Sequence, residues 1–183
     1  MANREALRQL HSRLASRLQA ARSGDVAASW LAVVSGGRNY LFPLGQAGEI
    51  FPWTPMLHVP YAQPWFMGVA NLRGGLFGVV DMTSFVAAFV PSSPRAPLTD
   101  LARAESRMVT FSPVLETNCV LLIDRLAGLR HVDAFTASKA PPADAPAFFG
   151  TVYTEAAEAG GAHWQEINLQ ALSREPQFLS ISA

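Results

Sequence analysis

An internal repeat constrains this chain more than any other feature of its sequence. Phe148-Phe149-Gly150-Thr151-Val152-Tyr153 stands in the second half where Trp65-Phe66-Met67-Gly68-Val69-Ala70 stands in the first. Glu166-Ile167-Asn168-Leu169-Gln170-Ala171-Leu172 answers Val79-Val80-Asp81-Met82-Thr83-Ser84-Phe85 in the same way. In both copies a β-like run ends on a short polar residue, Asp81 or Asn168. Its side chain can accept a hydrogen bond from a first-turn N–H and so start a helix, a contribution of about 1 kcal/mol. A repeat of strands and capped helix predicts two similar β-modules. Each has too few strands to leave both edges open, so closure into a small barrel is the expected solution.

Turn signals sharpen the reading. Residues 30–34 and 40–44 flank Ser35-Gly36-Gly37-Arg38-Asn39, and residues 67–72 and 76–80 flank Gly74-Gly75. Both are hairpin patterns with glycine at the turn. Residues 107–111 and 120–123 make a third hairpin around Glu116-Thr117-Asn118, and the runs 91–97 and 139–146 are loops by their proline content. Ahead of the modules, Leu7, Leu10, Leu14 and Leu18 recur at spacings of three and four, one stripe of an amphipathic helix over residues 3–22. Arg4, Arg8, Arg13, Arg17 and Arg22 face Glu5 alone there, and Gly24 closes the segment. The leucines are expected to cover a hydrophobic flank of this chain or of a partner, since the stripe lacks the Trp or Phe of a membrane-surface helix. The expected organisation is a helix over 1–24, a body over 29–172 and a tail over 173–183. Within the body, a linker at about 91–99 separates subdomains of about 29–90 and 100–172.

The chemistry expected of such a chain is slight. Lys+Arg and Asp+Glu both total 14, so no net field exists to hold nucleic acid. Only 15% of residues are charged, against roughly 25% in an average soluble domain. Apolar surface left uncovered by so few charges suits a protein that works in contact with partners. The one cysteine, Cys119, excludes a disulfide framework and favours a reducing, cytoplasmic setting. No apolar leader and no run of about 18 apolar residues stands in the sequence. His131 and Asp133, two apart on a predicted strand, would share a face, but zinc needs three or four ligands, and His11, His58 and His163 lie in unrelated segments. Cys119 beside Val120-Leu121-Leu122 reads as a small buried hydrophobe. Arg73-Gly74-Gly75 opens no helix and so is a turn, not a phosphate loop. Four tryptophans are expected in core and rim, with Trp53 exposed on the rigid loop Phe51-Pro52-Trp53-Thr54-Pro55. No catalytic group, metal or cofactor is expected.

What stands out is Gly68-Val69-Ala70-Asn71-Leu72-Arg73-Gly74, followed by Val79-Val80-Asp81. An arginine closes a strand at a glycine turn among apolar positions. It is either a solvated turn charge or an ion-paired, partner-facing guanidinium whose planar fork suits carboxylates.

This stretch resembles the CheW family of chemotaxis adaptors, whose signature runs Gly-Val-x-Asn-Leu/Ile-Arg-Gly and then a strand ending Val-Val-Asp-Leu. Tyr40 in the first hairpin and Glu49-Ile50 after it also fall where the family has similar residues. The resemblance covers about residues 29–172 and implies a mainly β fold of two tandem five-stranded, SH3-like barrels. It implies a non-catalytic scaffold that binds the cytoplasmic tip of a chemoreceptor and the regulatory domain of a CheA-type histidine kinase. It would be cytoplasmic and recruited to membrane-associated receptor arrays, with no nucleic acid and no insertion into the bilayer. By motif position Glu49, Ile50, Gly68, Asn71, Leu72 and Arg73 would lie at or beside the contacts, with Arg73 pairing Glu49 across the first barrel. Trp65-Phe66, the N-terminal helix and Phe178-Leu179-Ser180-Ile181 look most like the PilI branch, which serves type IV pilus (twitching) signalling. Flagellar chemotaxis coupling is the alternative, and a small barrel binding another peptide or nucleic acid is the remoter one. The chain departs from the family at Gly78, where a proline is usual, and at Ala47, two before the glutamate, where a hydrophobic residue is usual.

Overall fold

The structure, a computed structural model, describes residues 29–90, 98–157 and 160–183. The expected helix over 1–24 and most of the linker lie outside them.

Short apolar strands with glycine turns build the frame. β1 (Ser29–Ser35) and β2 (Arg38–Pro43) form an antiparallel hairpin in which Ser35 pairs with Arg38. The two residues between them, Gly36 and Gly37, have φ of 58° and 71°, the hand that matches the twist of the flanking strands. β3 (Ala47–Pro52) follows, then the hairpin of β4 (Phe66–Leu72) and β5 (Gly75–Asp81). α1 (Met82–Ala87) starts on Asp81, whose carboxylate accepts from the Ser84 backbone N–H and hydroxyl. After α2 (Asp100–Glu105) come β6 (Arg107–Phe111), β7 (Cys119–Ile123), β8 (Arg125–His131) and β9 (Phe135–Lys139). β10 (Phe149–Glu155) and β11 (His163–Ile167) form the last hairpin. α3 (Leu169–Leu172) then starts on Asn168, whose side-chain oxygen accepts from Ala171 N–H at 3.0 Å. Both capped helices expected from the repeat are therefore present, each begun in the same way. α4 (Pro176–Leu179) closes the chain.

The fold is mainly β, in two sheets, but the sheets do not follow the two halves of the sequence. One has six strands in the order β8-β1-β2-β11-β10-β9, and the other has five in the order β3-β6-β7-β5-β4. The first hairpin thus leaves its own half to pair with the second, and β6–β7 join the first half's sheet. This corrects the expectation that residues 30–89 and 107–172 form separate barrels. Local periodicity records a hairpin and its inner face, and it does not record which hairpin lies beside it. Gln46, at the crossing from β2 to β3, ties the sheets together: its side-chain oxygen accepts from the backbone N–H groups of Leu169 and Gln170 at 2.7 and 3.3 Å.

Three cores result. Trp30, Ala32, Leu41 and Trp164 fill the six-stranded sheet, and Ala70, Leu72, Val79, Met108, Val120 and Leu122 fill the five-stranded one. The largest lies between the sheets, where Val33, Phe42, Leu121 and Ile123 meet Phe85 of α1. Alternate residues of β7 serve opposite cores, and all five are buried. The segment expected as a C-terminal tail, 173–183, packs Phe178 into this interior. Phe178 is buried, stacks on Trp65 and meets Phe85 and Phe111 at ring distances of 5.3 and 5.7 Å. Beyond it, Ala183 N–H and Gln63 N–H bond to the carbonyls of Tyr61 and Ile181. Among the described residues no helix is long and apolar enough to cross a membrane.

Candidate partner-binding face around Arg73 and Glu49

Arg73 and Gly74 are the two loop residues of the β4–β5 hairpin, with Leu72 paired to Gly75. The expected turn at Gly74-Gly75 is thus shifted back by one residue. Asn71 fixes it there, its side-chain oxygen accepting from Gly74 N–H at 2.9 Å. In this turn Arg73 takes φ of 50° and Gly74 of 87°. Where the β1–β2 hairpin uses two glycines, this one places an arginine in left-handed backbone, a conformation that costs an L-residue about 1 kcal/mol or more. The side chain stays out in solvent, 75% exposed.

β3 supplies the other half of the face. Its pairing with β6 shifts register between Ala47 and Ile50, so Glu49 and Ile50 are both exposed. Gly48 is required inside that bulge, since a Cβ there would lie 2.3 Å from the Thr110 hydroxyl and 2.6 Å from the Phe111 carbonyl. Thr110 in turn donates to the Glu49 carbonyl. β3 and β4 are opposite edges of the five-stranded sheet. Even so, the Arg73 guanidinium reaches the Glu49 carboxylate at 2.5 Å and lies 5.4 Å from the Phe51 ring centre. The ion pair thus links the β4–β5 turn to the edge strand β3 across the sheet. In the six-stranded sheet, Arg130 of the edge strand β8 donates to Glu155 of the inner strand β10 at 2.8 Å and lies over Trp164.

Beside the Arg73–Glu49 bridge is a groove of about 500 Å³ whose lining includes Phe51, Phe77, Glu116 and Asn118. The structure therefore brings Arg73 and Glu49 together at the surface, with Asn71 holding the turn, while Ile50 is exposed next along β3. Leu72 is 5% exposed, and its side chain belongs to the sheet interior. Gly68 lies elsewhere along β4 at φ 132°, where a Cβ would stand 2.2 Å from the Leu57 carbonyl. Its position lets residue 57 bridge to Val69. Sequence reasoning did not find Phe51, because strand β3 is short, bulged and ends on a proline, nor Phe77, whose place in an apolar run of β5 does not say that it borders a groove. The departure at Gly78 is accommodated: its N–H donates to the Asn118 carbonyl, a bond a proline could not make, and the Phe66 ring occupies the space beside its Cα. Ala47 packs, half-buried, on the inter-sheet core.

The other candidates separate. Trp53 is half-buried against the five-stranded sheet's core rather than exposed, with Arg103 5.0 Å from its ring centre. His131 ends β8 and hydrogen-bonds Ser29, while Asp133 sits on the next 3₁₀ turn, so the two do not share a strand. Among the described residues no three His, Cys, Asp or Glu side chains are grouped to hold a metal. Burial pushes the Cys119 thiol up to about 12, away from what a nucleophile needs.

Known proteins give an independent comparison. A model of the CheW-like domain matches residues 29–176. The chain is 27% identical over 175 residues to Protein PilI of Pseudomonas aeruginosa PAO1, covering 93% of this chain and 89% of that protein. Among solved structures it matches the crystal structure of the scaffolding protein TtCheW from Thermoanaerobacter tengcongensis with a TM-score of 0.58. That match covers 78% of this chain and 89% of the other at 12% identity, a likeness of fold.

Proposed function

The chain belongs to the CheW-like domain family, and on that premise we propose that it is a scaffold coupling a chemoreceptor tip to the regulatory domain of a CheA-type histidine kinase. The likeness to Protein PilI favours pilus-linked signalling as the output. Recruitment to membrane-associated receptor arrays follows from binding the receptor and needs no insertion of this chain into the bilayer.

The observation that carries the reading is Arg73. An arginine held in left-handed backbone at a hairpin tip, exposed and pinned by Glu49 and Phe51, adds little to folding. An exposed pair of this kind is worth about 0–1 kcal/mol. Its geometry instead fixes a planar guanidinium where a partner's carboxylate can meet it, at the rim of the groove. The same group, desolvated in a complex, is worth about 2–5 kcal/mol when truncated.

Calorimetric titration of the full chain with the kinase regulatory domain and with a receptor-tip fragment from the same genome tests the proposal. Both should bind, and the charge exchange Glu49→Arg with Arg73→Glu should fold like the wild type but not bind. Absence of binding to either partner would overturn the coupling role. Full binding by the exchanged pair would reduce Arg73 to a structural brace.

A further inference from the structure

A second surface, on the other sheet, carries a site of its own: a pocket of about 360 Å³ where β2 meets β11. The two strands run parallel, with Gln165 opposite Tyr40, and Val152 of β10 stands opposite Gln165. Directly opposed residues share a face. That face is buried further along at Phe42 and Ile167, in the core between the sheets. Outward from Tyr40 it ends on Arg38 and His163, which also line the pocket. The floor thus changes from apolar, through hydrogen-bonding, to basic. No carboxylate is among its lining residues.

Tyr40 gives the pocket its meaning. It is 3% exposed and lines the pocket, yet its hydroxyl has no hydrogen-bond partner among the described residues. The hydroxyl is not among the fully buried polar atoms left without a partner, so it is reached from the pocket. Burial raises its pKa while the Arg38 guanidinium pulls the other way, which sets positive charge near the hydroxyl. His163 is oriented by its Nδ1, 3.0 Å from the Thr154 hydroxyl, and its Nε2 remains available. The Gln165 amide nitrogen donates to the carbonyls of Gly150 and Glu166, which locks that side chain in place.

We propose that this pocket receives a carboxylate side chain carried on an apolar-flanked segment of a partner protein. Tyr40 and His163 donate to the carboxylate. The Arg38 guanidinium acts on the Tyr40 hydroxyl from the same end of the pocket. The apolar neighbours of the acidic residue lie toward Phe149 and Val152. The site shares no residue with the Arg73 face, so either can fail alone.

The test is a titration of the ¹⁵N-labelled full chain with a capped peptide Ala-Leu-Glu-Leu-Ala, its glutamine counterpart, and free glutarate, followed by NMR. The acidic peptide should shift the backbone amides of Arg38, Tyr40, His163 and Gln165. The glutamine peptide should bind roughly tenfold more weakly, as should the acidic peptide to Tyr40→Phe. His163→Gln repeats the measurement if Tyr40→Phe disturbs the spectrum elsewhere. The proposal is overturned if those amides do not move, if the glutamine peptide binds equally well, or if neither substitution weakens binding. Glutarate binding as tightly as the peptide would make this a small-anion site and overturn the partner segment.

Discussion

Replacing Arg73 by glycine and, separately, by alanine divides what the residue does for folding from what it does for binding. At φ of 50° any side chain with a Cβ carries strain of about 1–2 kcal/mol, which glycine relieves. Glycine returns about 0.5–1 kcal/mol of that through the greater freedom of its unfolded chain. Both variants lose the exposed pair with Glu49, about 0–1 kcal/mol, and the contact over Phe51, about 0.5–1 kcal/mol. Arg73→Gly should therefore unfold within about 1 kcal/mol of the wild type. Arg73→Ala keeps the strain and should fall below the glycine variant by roughly 0.5–1 kcal/mol, a few degrees at most in melting temperature. Urea titration of the three proteins resolves such a gap, and binding of the kinase regulatory domain is measured beside it. Both variants should bind at least about tenfold more weakly, and equally so, because both lack the guanidinium. Two results refute the reasoning. An alanine variant as stable as the glycine variant removes the strain, and binding that survives in either variant removes Arg73 from the interface.

Phe178→Ala should destabilise by about 3–5 kcal/mol, because the ring is buried against Trp65, Phe85 and Phe111. A change in urea midpoint corresponding to less than about 1 kcal/mol would return residues 173–183 to the status of a tail. Cys119 should resist iodoacetamide at pH 8 in the native protein and react once urea unfolds it, since burial holds its thiol at about 12. Because the folded value lies above the unfolded one, stability is unaffected by this group below about pH 8.5 and declines as the pH rises beyond it, when only the unfolded chain ionises. Rapid labelling of the folded protein contradicts both statements.

Much of the local architecture was legible in the sequence. The glycine turns, the alternation of apolar residues and the short polar caps act over a few residues, so the hairpins, Asp81 and Asn168 could be located from the chain alone. The motif that ends in Arg73 was legible for the same reason, and with it the family. Long-range pairing was not. Which sheet takes the first hairpin depends on the fit of Leu31, Val33 and Phe42 against a core assembled from both halves, and no periodicity encodes that choice. Phe178 looked like the end of a tail, because four apolar residues after a turn are equally compatible with an exposed end and a buried plug. Trp53 looked exposed, because a proline on either side says nothing of what packs against the ring. The meeting of Arg73 with Glu49 rests on the tertiary placement of the β4–β5 turn against β3, strands that are not neighbours in the sheet. Sequence alone specified the pieces and the resemblance. Tertiary structure decided which faces meet, because burial of apolar area is a property of the assembled sheets and not of any strand taken singly.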